Sequence, residues 1–160
     1  MEYLGNYIKA GRLEKEDITG DVSYDPENHE KMCGIRSEKI RLISKFIPDQ
    51  EVFGEKDSEL LVIGWGGTYG SLYVSVENLI SEGKSISLSQ FNYINPLPRN
   101  TRNLLNSFKK IVVCELNSGQ FANYLRMNFQ GIEFEQYNKI QGLPFTTSEL
   151  ESHFKNLLEK

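Results

Sequence analysis

Cysteine and histidine are both scarce in this 160-residue chain, at two of each. Cys33 and Cys114 make no disulfide framework, and a reduced thiol with a reducing, cytoplasmic setting is the expectation. Cys114 lies in the strand-like run Ile111-Val112-Val113-Cys114-Glu115-Leu116, which reads as a buried thiol. A catalytic cysteine wants a histidine nearby, and neither His29 nor His153 stands in a recognisable setting. The same shortage argues against a His- or Cys-ligated metal, so no metal site is expected. No apolar run approaches the ~20 residues that span a bilayer. The opening residues, Met1-Glu2-Tyr3-Leu4-Gly5-Asn6, lack the basic region and apolar core of a signal peptide. A net charge of −4 without a basic stripe leaves no ground for general nucleic-acid binding. The 39% hydrophobic and 25% charged content that remains is that of a globular domain.

The informative stretch is Leu60-Leu61-Val62-Ile63-Gly64-Trp65-Gly66-Gly67-Thr68-Tyr69-Gly70. An apolar run stops at glycines, and Leu72, Tyr73, Val76, Leu79 and Ile80 follow at helical spacing. That pattern is a buried strand, a tight turn and a helix whose first N–H groups are free. Further strands are expected at Ser85 to Tyr93, Ile111 to Leu116 and Phe134 to Ile140, with a short edge strand at Glu51-Val52-Phe53-Gly54. Helices are expected after Asn100 or Thr101 and after Asn117-Ser118-Gly119-Gln120. A last helix carries Leu150, Phe154, Leu157 and Leu158 inward, with Ser148 and Glu151 at capping-box spacing. Strand and helix alternate from residue 51 onward, which makes an α/β fold: three αβα layers around a mostly parallel sheet.

Upstream, Asp25 is a natural N-cap and Pro26 suits the first helical position. A helix with an imperfect apolar face (Met32, Ile35, Ile40, Leu42, Ile43, Phe46, Ile47) should run to Pro48. The expected organisation is an extended arm over 1–25 with no core of its own, a linking helix over 26–48 and an α/β domain over 49–160.

Gly64-x-Gly66 begins like a dinucleotide fingerprint. Tyr69 stands where the third glycine belongs, Asn92 and Tyr93 stand where the acidic residue should end the next strand, and no Walker lysine follows. In open α/β sheets ligands sit beyond the carboxyl ends of the strands. The residues there form a candidate rim: Gly66, Gly67, Thr68, Asn95, Glu115, Asn117 and Gln120. If the turns after these strands open helices, their N–H groups and dipoles favour an anion. Glu115, the only acid of the rim, is either a general base or a hydrogen-bonding partner of a neighbouring turn. As a rim residue it should tolerate exchange to glutamine, whereas Leu116→Asp should disrupt the core if Leu116 points inward. No nucleophile–base pair is present, and no catalytic residue is assigned.

Five segments together resemble one family: Tyr24-Asp25-Pro26-Glu27-Asn28-His29, Val62 to Gly70, Asn92-Tyr93-Ile94-Asn95-Pro96-Leu97-Pro98, Cys114 to Gln120, and Gln141-Gly142-Leu143-Pro144-Phe145. In this order they resemble the C-terminal part of the alpha subunit of 2-oxoacid:ferredoxin oxidoreductases, especially the 2-oxoglutarate enzymes, over about residues 10–160. More distantly, the Asn95-to-Pro98 and Glu115-to-Gln120 segments are similar to the C-terminal domain shared by transketolase and the pyruvate dehydrogenase beta chain. The resemblance implies oxidative decarboxylation of a 2-oxoacid, with coenzyme A accepting the acyl group and ferredoxin the electrons. It implies thiamine diphosphate, magnesium and an iron–sulfur cluster in the whole enzyme and none of them on this chain. The implied partners are the pyrimidine-binding portion of the alpha subunit, which would precede residue 1, the beta subunit and, through the whole enzyme, ferredoxin. The family commonly runs Thr-Gly-Leu-Glu-His-Asp in its arm, over the entrance to the active site. Here the nearest match, Ala10 to Asp17, lacks the histidine, and Glu14 and Asp17 are the lid candidates. Two other readings stand beside this one: a stand-alone module binding a small anion at the Gly66–Gly67 turn, and an independent enzyme using Glu115.

Overall fold

The structure is a computed structural model and describes residues 14–159. The chain divides into two compact units, one reaching Phe46 and the other beginning at Ile47.

In the first unit, β1 (Glu14–Lys15) pairs antiparallel with β2 (Val22–Ser23), and α1 spans Pro26–Ile43. The Asp25 carboxylate accepts hydrogen bonds from the Glu27 and Asn28 N–H groups, and Pro26 takes the first turn, where its missing N–H costs nothing. The helix expected over 26–48 is shorter. Three successive N–H bonds, from Ser44, Lys45 and Phe46 to the carbonyls three residues back, tighten its end before Pro48 is reached. No residue of α1 is buried, and its apolar positions stay on the surface, with Phe46 86% exposed. The arm also differs from a structureless terminus. Residues 14–23 form a hairpin, and Asn28 Nδ2 donates to the Lys15 carbonyl at 3.1 Å to tie it to α1. The arm's first thirteen residues lie outside the described region.

The second unit is a three-layer αβα domain. Its strands are β3 (Leu60–Trp65), β4 (Ile86–Phe91), β5 (Lys110–Glu115) and β6 (Glu135–Asn138). All pair parallel, in the order β4-β3-β5-β6. Helices α2 (Tyr69–Ser81), α3 (Thr101–Asn106), α4 (Gln120–Asn128) and α5 (Thr147–Leu158) cover both faces. One core joins Leu60 and Val62 to Leu72, Val76 and Leu79 of α2 and Leu150, Phe154 and Leu157 of α5. The other joins Leu61 and Ile63 to Leu104 and Leu105 of α3 and Phe121, Ala122 and Leu125 of α4. Successive strand residues thus feed opposite cores, which is why β3 and β5 read as unbroken apolar runs. Each fully buried leucine contributes about 1.5–3 kcal/mol.

Several boundaries move for local reasons. The second strand stops at Phe91, short of Tyr93, and the fourth shrinks to Glu135–Asn138. Glu51 to Gly54 makes one antiparallel bridge, Phe53 opposite Leu88, rather than a strand. The N-cap of α5 is Thr146, whose hydroxyl accepts from the Glu149 N–H, so capping sits two residues before the Ser148–Glu151 pair. Asn100 precedes α3 but does not cap it. Its side-chain amide instead clasps the Gln50 backbone, accepting from its N–H at 2.8 Å and donating to its carbonyl at 2.9 Å. Leu116, the residue after β5, is 38% exposed, so it does not serve as a core anchor.

Leu125→Ala should therefore lower the unfolding free energy by about 2–5 kcal/mol. Leu116→Asp should lower it by less than about 1 kcal/mol. Urea denaturation of the two variants beside the parent chain measures both.

Candidate functional site: the carboxyl edge of the sheet

Because all four strands are parallel, their carboxyl ends lie on one edge. The chain leaves β3 toward β4 on one side and later enters β5 on the other. The position between the ends of β3 and β5 is therefore the topological switch point, where open α/β sheets hold ligands.

Here that crevice is closed by the chain's own side chains. Glu115 ends β5 with 0% exposure. Its Oε1 accepts from the Ala122 N–H at 2.9 Å, and its Oε2 accepts from the Phe121 N–H at 2.8 Å and from the Trp65 indole Nε1–H at 3.2 Å. Two residues on, the Asn117 side-chain oxygen accepts from the N–H groups of Gly119 at 2.7 Å and Gln120 at 3.0 Å. The N-cap residue of α4 and the three residues after it are thus all satisfied internally. A carboxylate at this helix start complements the dipole, as a bound anion would. This corrects the expectation of free donors at that turn: no N–H of its first four positions is left for an external anion. Between the alternatives for Glu115, the geometry is that of a hydrogen-bonding partner of a neighbouring turn. With 0% exposure and three of its roughly four lone-pair positions taken by N–H donors, this carboxylate is walled off from a substrate.

The other rim residues spread along the edge. Thr68 is buried and works locally: its Oγ1 accepts from the Trp65 N–H at 3.2 Å and donates to the Trp65 carbonyl at 2.9 Å. Gly66 and Gly67 are exposed in a 3-10 turn, Gly66 at a φ of +58°, with open space where a Cβ would be. Gly64, just before, has no such room. A Cβ there would meet Leu72 Cδ1 at 2.3 Å and Gln90 Oε1 at 2.5 Å, so that glycine serves the packing of α2 on the sheet. Asn95 is exposed and lies 3.5 Å from the Tyr124 hydroxyl of α4. Gln120 is exposed.

Beside the β4 end lies an open cleft of about 680 Å³ that sequence reading did not single out. Tyr69, Tyr73 and Tyr93 line it with Gln90, and the segment from Pro48 to Phe53 forms a wall. That segment is strapped to the β4 edge by Gln50 Nε2, which donates to Ser89 Oγ at 3.0 Å and the Gln90 carbonyl at 2.8 Å. The contributors come from three separate stretches, so no local spacing announces the cleft.

The lid candidates lie in the first unit, and both carboxylates pair with α1. Glu14 Oε2 is 2.7 Å from Arg36 Nη2, and Asp17 Oδ2 is 3.0 Å from Lys31 Nζ. The hydrogen bond from Arg36 holds the Glu14 carboxyl below the usual carboxylate range. Cys33 is exposed in this unit, and Cys114 is buried in the other, where desolvation pushes its thiol well up. Two thiols so placed do not fit an iron–sulfur cluster, which needs several converging ligands. Nor does the rim fit a diphosphate-bound magnesium, since its one carboxylate is fully engaged. Among the described residues, the strand-end rim gathers no set of metal ligands.

No family model matches the chain. It is 35% identical over 143 residues to 2-oxoglutarate oxidoreductase subunit KorA of Mycobacterium tuberculosis, a match covering 89% of this chain and 21% of that protein. It is 33% identical over 153 residues to the 2-oxoacid:ferredoxin oxidoreductase subunit alpha of Saccharolobus solfataricus, covering 92% of this chain and 24% of that one. The chain is a relative of 2-oxoacid:ferredoxin oxidoreductase alpha subunits. It spans about a fifth to a quarter of the length of these relatives. Among solved structures, the 2-oxoglutarate:ferredoxin oxidoreductase of Magnetococcus marinus, with 2-oxoglutarate, coenzyme A and succinyl-CoA bound, superposes with a TM-score of 0.81 at 28% identity. That match covers 90% of this chain and 26% of the other. A split-gene transketolase shares the fold alone, with a TM-score of 0.50 at 14% identity over 68% of this chain and 41% of that one.

Glu115→Gln should destabilise the α/β domain by about 3 kcal/mol. It removes the charge and turns an NH₂ group toward a buried N–H donor. Trp65→Phe, which deletes one donor to the same carboxylate, should cost about 1 kcal/mol. The two losses should not add, because they share a partner. Chemical denaturation of the single and double variants checks all three.

Proposed function

We propose that this chain is the transketolase-C-terminal-like part of the alpha subunit of a 2-oxoacid:ferredoxin oxidoreductase, with 2-oxoglutarate as the 2-oxoacid. Its contribution is to assembly and to shaping the approach of substrate and coenzyme A, not to bond making. The observation that carries this reading is the 35% identity over 89% of the chain, to a protein of which that stretch is about a fifth. The closed switch-point crevice supports it: a rim with its carboxylate locked inside offers surface rather than chemistry. Thiamine diphosphate, magnesium and the iron–sulfur cluster then reside on the rest of the enzyme. The partners are the pyrimidine-binding portion of the alpha subunit and the beta subunit, with ferredoxin met by the whole assembly. No helix among the described residues is long and apolar enough to cross a membrane; the location proposed for the enzyme is the cytoplasm.

Within this reading the division of labour is an arm, a linking helix and the α/β domain, with the helix ending near Phe46. Gly66, Gly67, Asn95, Asn117 and Gln120 form the contact rim, over a scaffold built by Glu115 and Thr68. Glu14 and Asp17, being paired to α1, make a lid that moves together with that helix rather than a free flap. The independent-enzyme reading is disfavoured by the engaged Glu115. The anion-module reading keeps one supporting feature, the open Gly66–Gly67 turn.

The test is reconstitution. The chain alone should show no 2-oxoglutarate- and coenzyme-A-dependent reduction of a viologen dye, and calorimetry should detect no binding of thiamine diphosphate with magnesium. Co-expression with the remaining alpha portion and the beta subunit should yield a complex that retains the chain and turns over. Turnover by the chain alone, or a fully active complex purified without it, would overturn the proposal. Micromolar binding of inorganic phosphate that Gly66→Asp abolishes would favour the module instead.

A further inference from the structure

A second group of reactive side chains lies in the first unit. Glu14 on β1 and His29 and Cys33 on α1 each present a ligand atom, all within 4.8 Å of one another. His29 and Cys33 are four residues apart and share a helix face, with Cys33 Sγ 3.7 Å from His29 Nε2. The β1–β2 hairpin, tied down by Asn28 and the Asp17–Lys31 pair, delivers Glu14 to the same face. The scarcity of histidine and cysteine hid this set, because its members come together only when the hairpin folds onto the helix.

Two observations define the electrostatics of the cluster. His29 Nδ1 is shielded from solvent without a hydrogen-bond partner, and the oxygen facing it is Glu14 Oε2 at 3.6 Å. With a carboxylate oxygen facing it, Nδ1 is the nitrogen that carries the proton, which leaves the lone pair on Nε2, the nitrogen 3.7 Å from Cys33 Sγ. Meanwhile Arg36 reaches in from one turn further along, its Nη2 2.7 Å from Glu14 Oε2 and 3.2 Å from Cys33 Sγ. A positive charge therefore already sits between the carboxylate and the thiol. Its side chain is half-exposed, free to swing into solvent.

We propose that Glu14, His29 and Cys33 form a binding site for a thiophilic divalent cation of the zinc class, which takes the place of the Arg36 guanidinium. The donor set suits such an ion: one sulfur, one imidazole nitrogen and one carboxylate oxygen, with a fourth tetrahedral position open to water. Zinc bonds of about 2.3 Å to sulfur and 2.0 Å to nitrogen place those two atoms about 3.5 Å apart, close to the observed 3.7 Å. On binding, the Cys33 thiol releases its proton to solvent and binds as thiolate, and the imidazole binds in its neutral form. Arg36 keeps its charge and moves out. The bound ion pins the arm to α1, and this inference is independent of the oxidoreductase reading.

The test uses the full chain, with Co²⁺ as the spectroscopic probe and Zn²⁺ as competitor. Titration with Co²⁺ should produce a thiolate-to-cobalt charge-transfer band that Zn²⁺ bleaches at stoichiometric addition. Cys33→Ser should abolish the band and His29→Ala should weaken binding at least a hundredfold, while Cys114→Ala leaves the band in place. Glu14→Gln should weaken binding about tenfold, and Arg36→Ala should tighten it severalfold by removing the competing cation. Circular dichroism of each variant confirms that it is folded, and Cys33 and Arg36 are exposed enough for their exchange to be tolerated. The proposal fails if the parent chain gives no thiolate band. It fails equally if Glu14→Gln binds as tightly as the parent, which would leave only a two-residue helix chelate, or if Arg36→Ala binds more weakly.

Discussion

The domain depends on one buried carboxylate. Glu115 lies where β5 runs out, and its two oxygens gather the first helical N–H groups of α4 and the indole N–H at the end of β3. Burying an unpaired carboxylate would be prohibitive, but three N–H donors and a helix N-terminus replace the lost water. The consequence is geometric. That carboxylate ties the start of α4 to the ends of β3 and β5, and Phe121, held there, packs against Phe91 and Trp65.

The same interaction decides what the sheet edge can do. In a ligand-binding α/β domain the switch point is open and the helix start offers its N–H groups to a phosphate or carboxylate. Here an internal carboxylate occupies that position, and Asn117 satisfies the remaining donors. What is left on the edge is an exposed glycine turn, scattered amide side chains and a tyrosine-lined cleft.

The first unit follows a different logic. It has no core of its own among the described residues: α1 buries nothing, and the hairpin is two short strands. Its order rests on polar ties from hairpin to helix, through Glu14, Asp17 and Asn28. Exposed pairs of this kind are each worth little, so the arrangement is easily biased by whatever binds it.

Much of the fold was legible from periodicity alone. The run from Leu60 to Ile63 is apolar at every position because both sheet faces are covered, and the alternation of such runs with helical spacing dictates a parallel, three-layer domain. Asp25-Pro26 announced its helix because cap and first turn are local chemistry. The element ends were less legible, since they turn on partners distant in sequence. Asn100 reads as a helix cap until Gln50 is found beside it, and Thr146 rather than Ser148 is the cap because its hydroxyl is the one that accepts from the Glu149 N–H. The candidate site divides the same way. Sequence order placed Glu115, Asn117 and the Gly66–Gly67 turn on one edge, because parallel strands leave no other choice. Whether Glu115 faced solvent or α4, and whether Leu116 pointed in or out, depended on the path of the chain after the strand, which tertiary packing decided. Glu14, His29 and Cys33 mark the limit. Two are spaced for one helix face, but the third is fifteen residues before His29, and only the closure of the hairpin brings its charge to them.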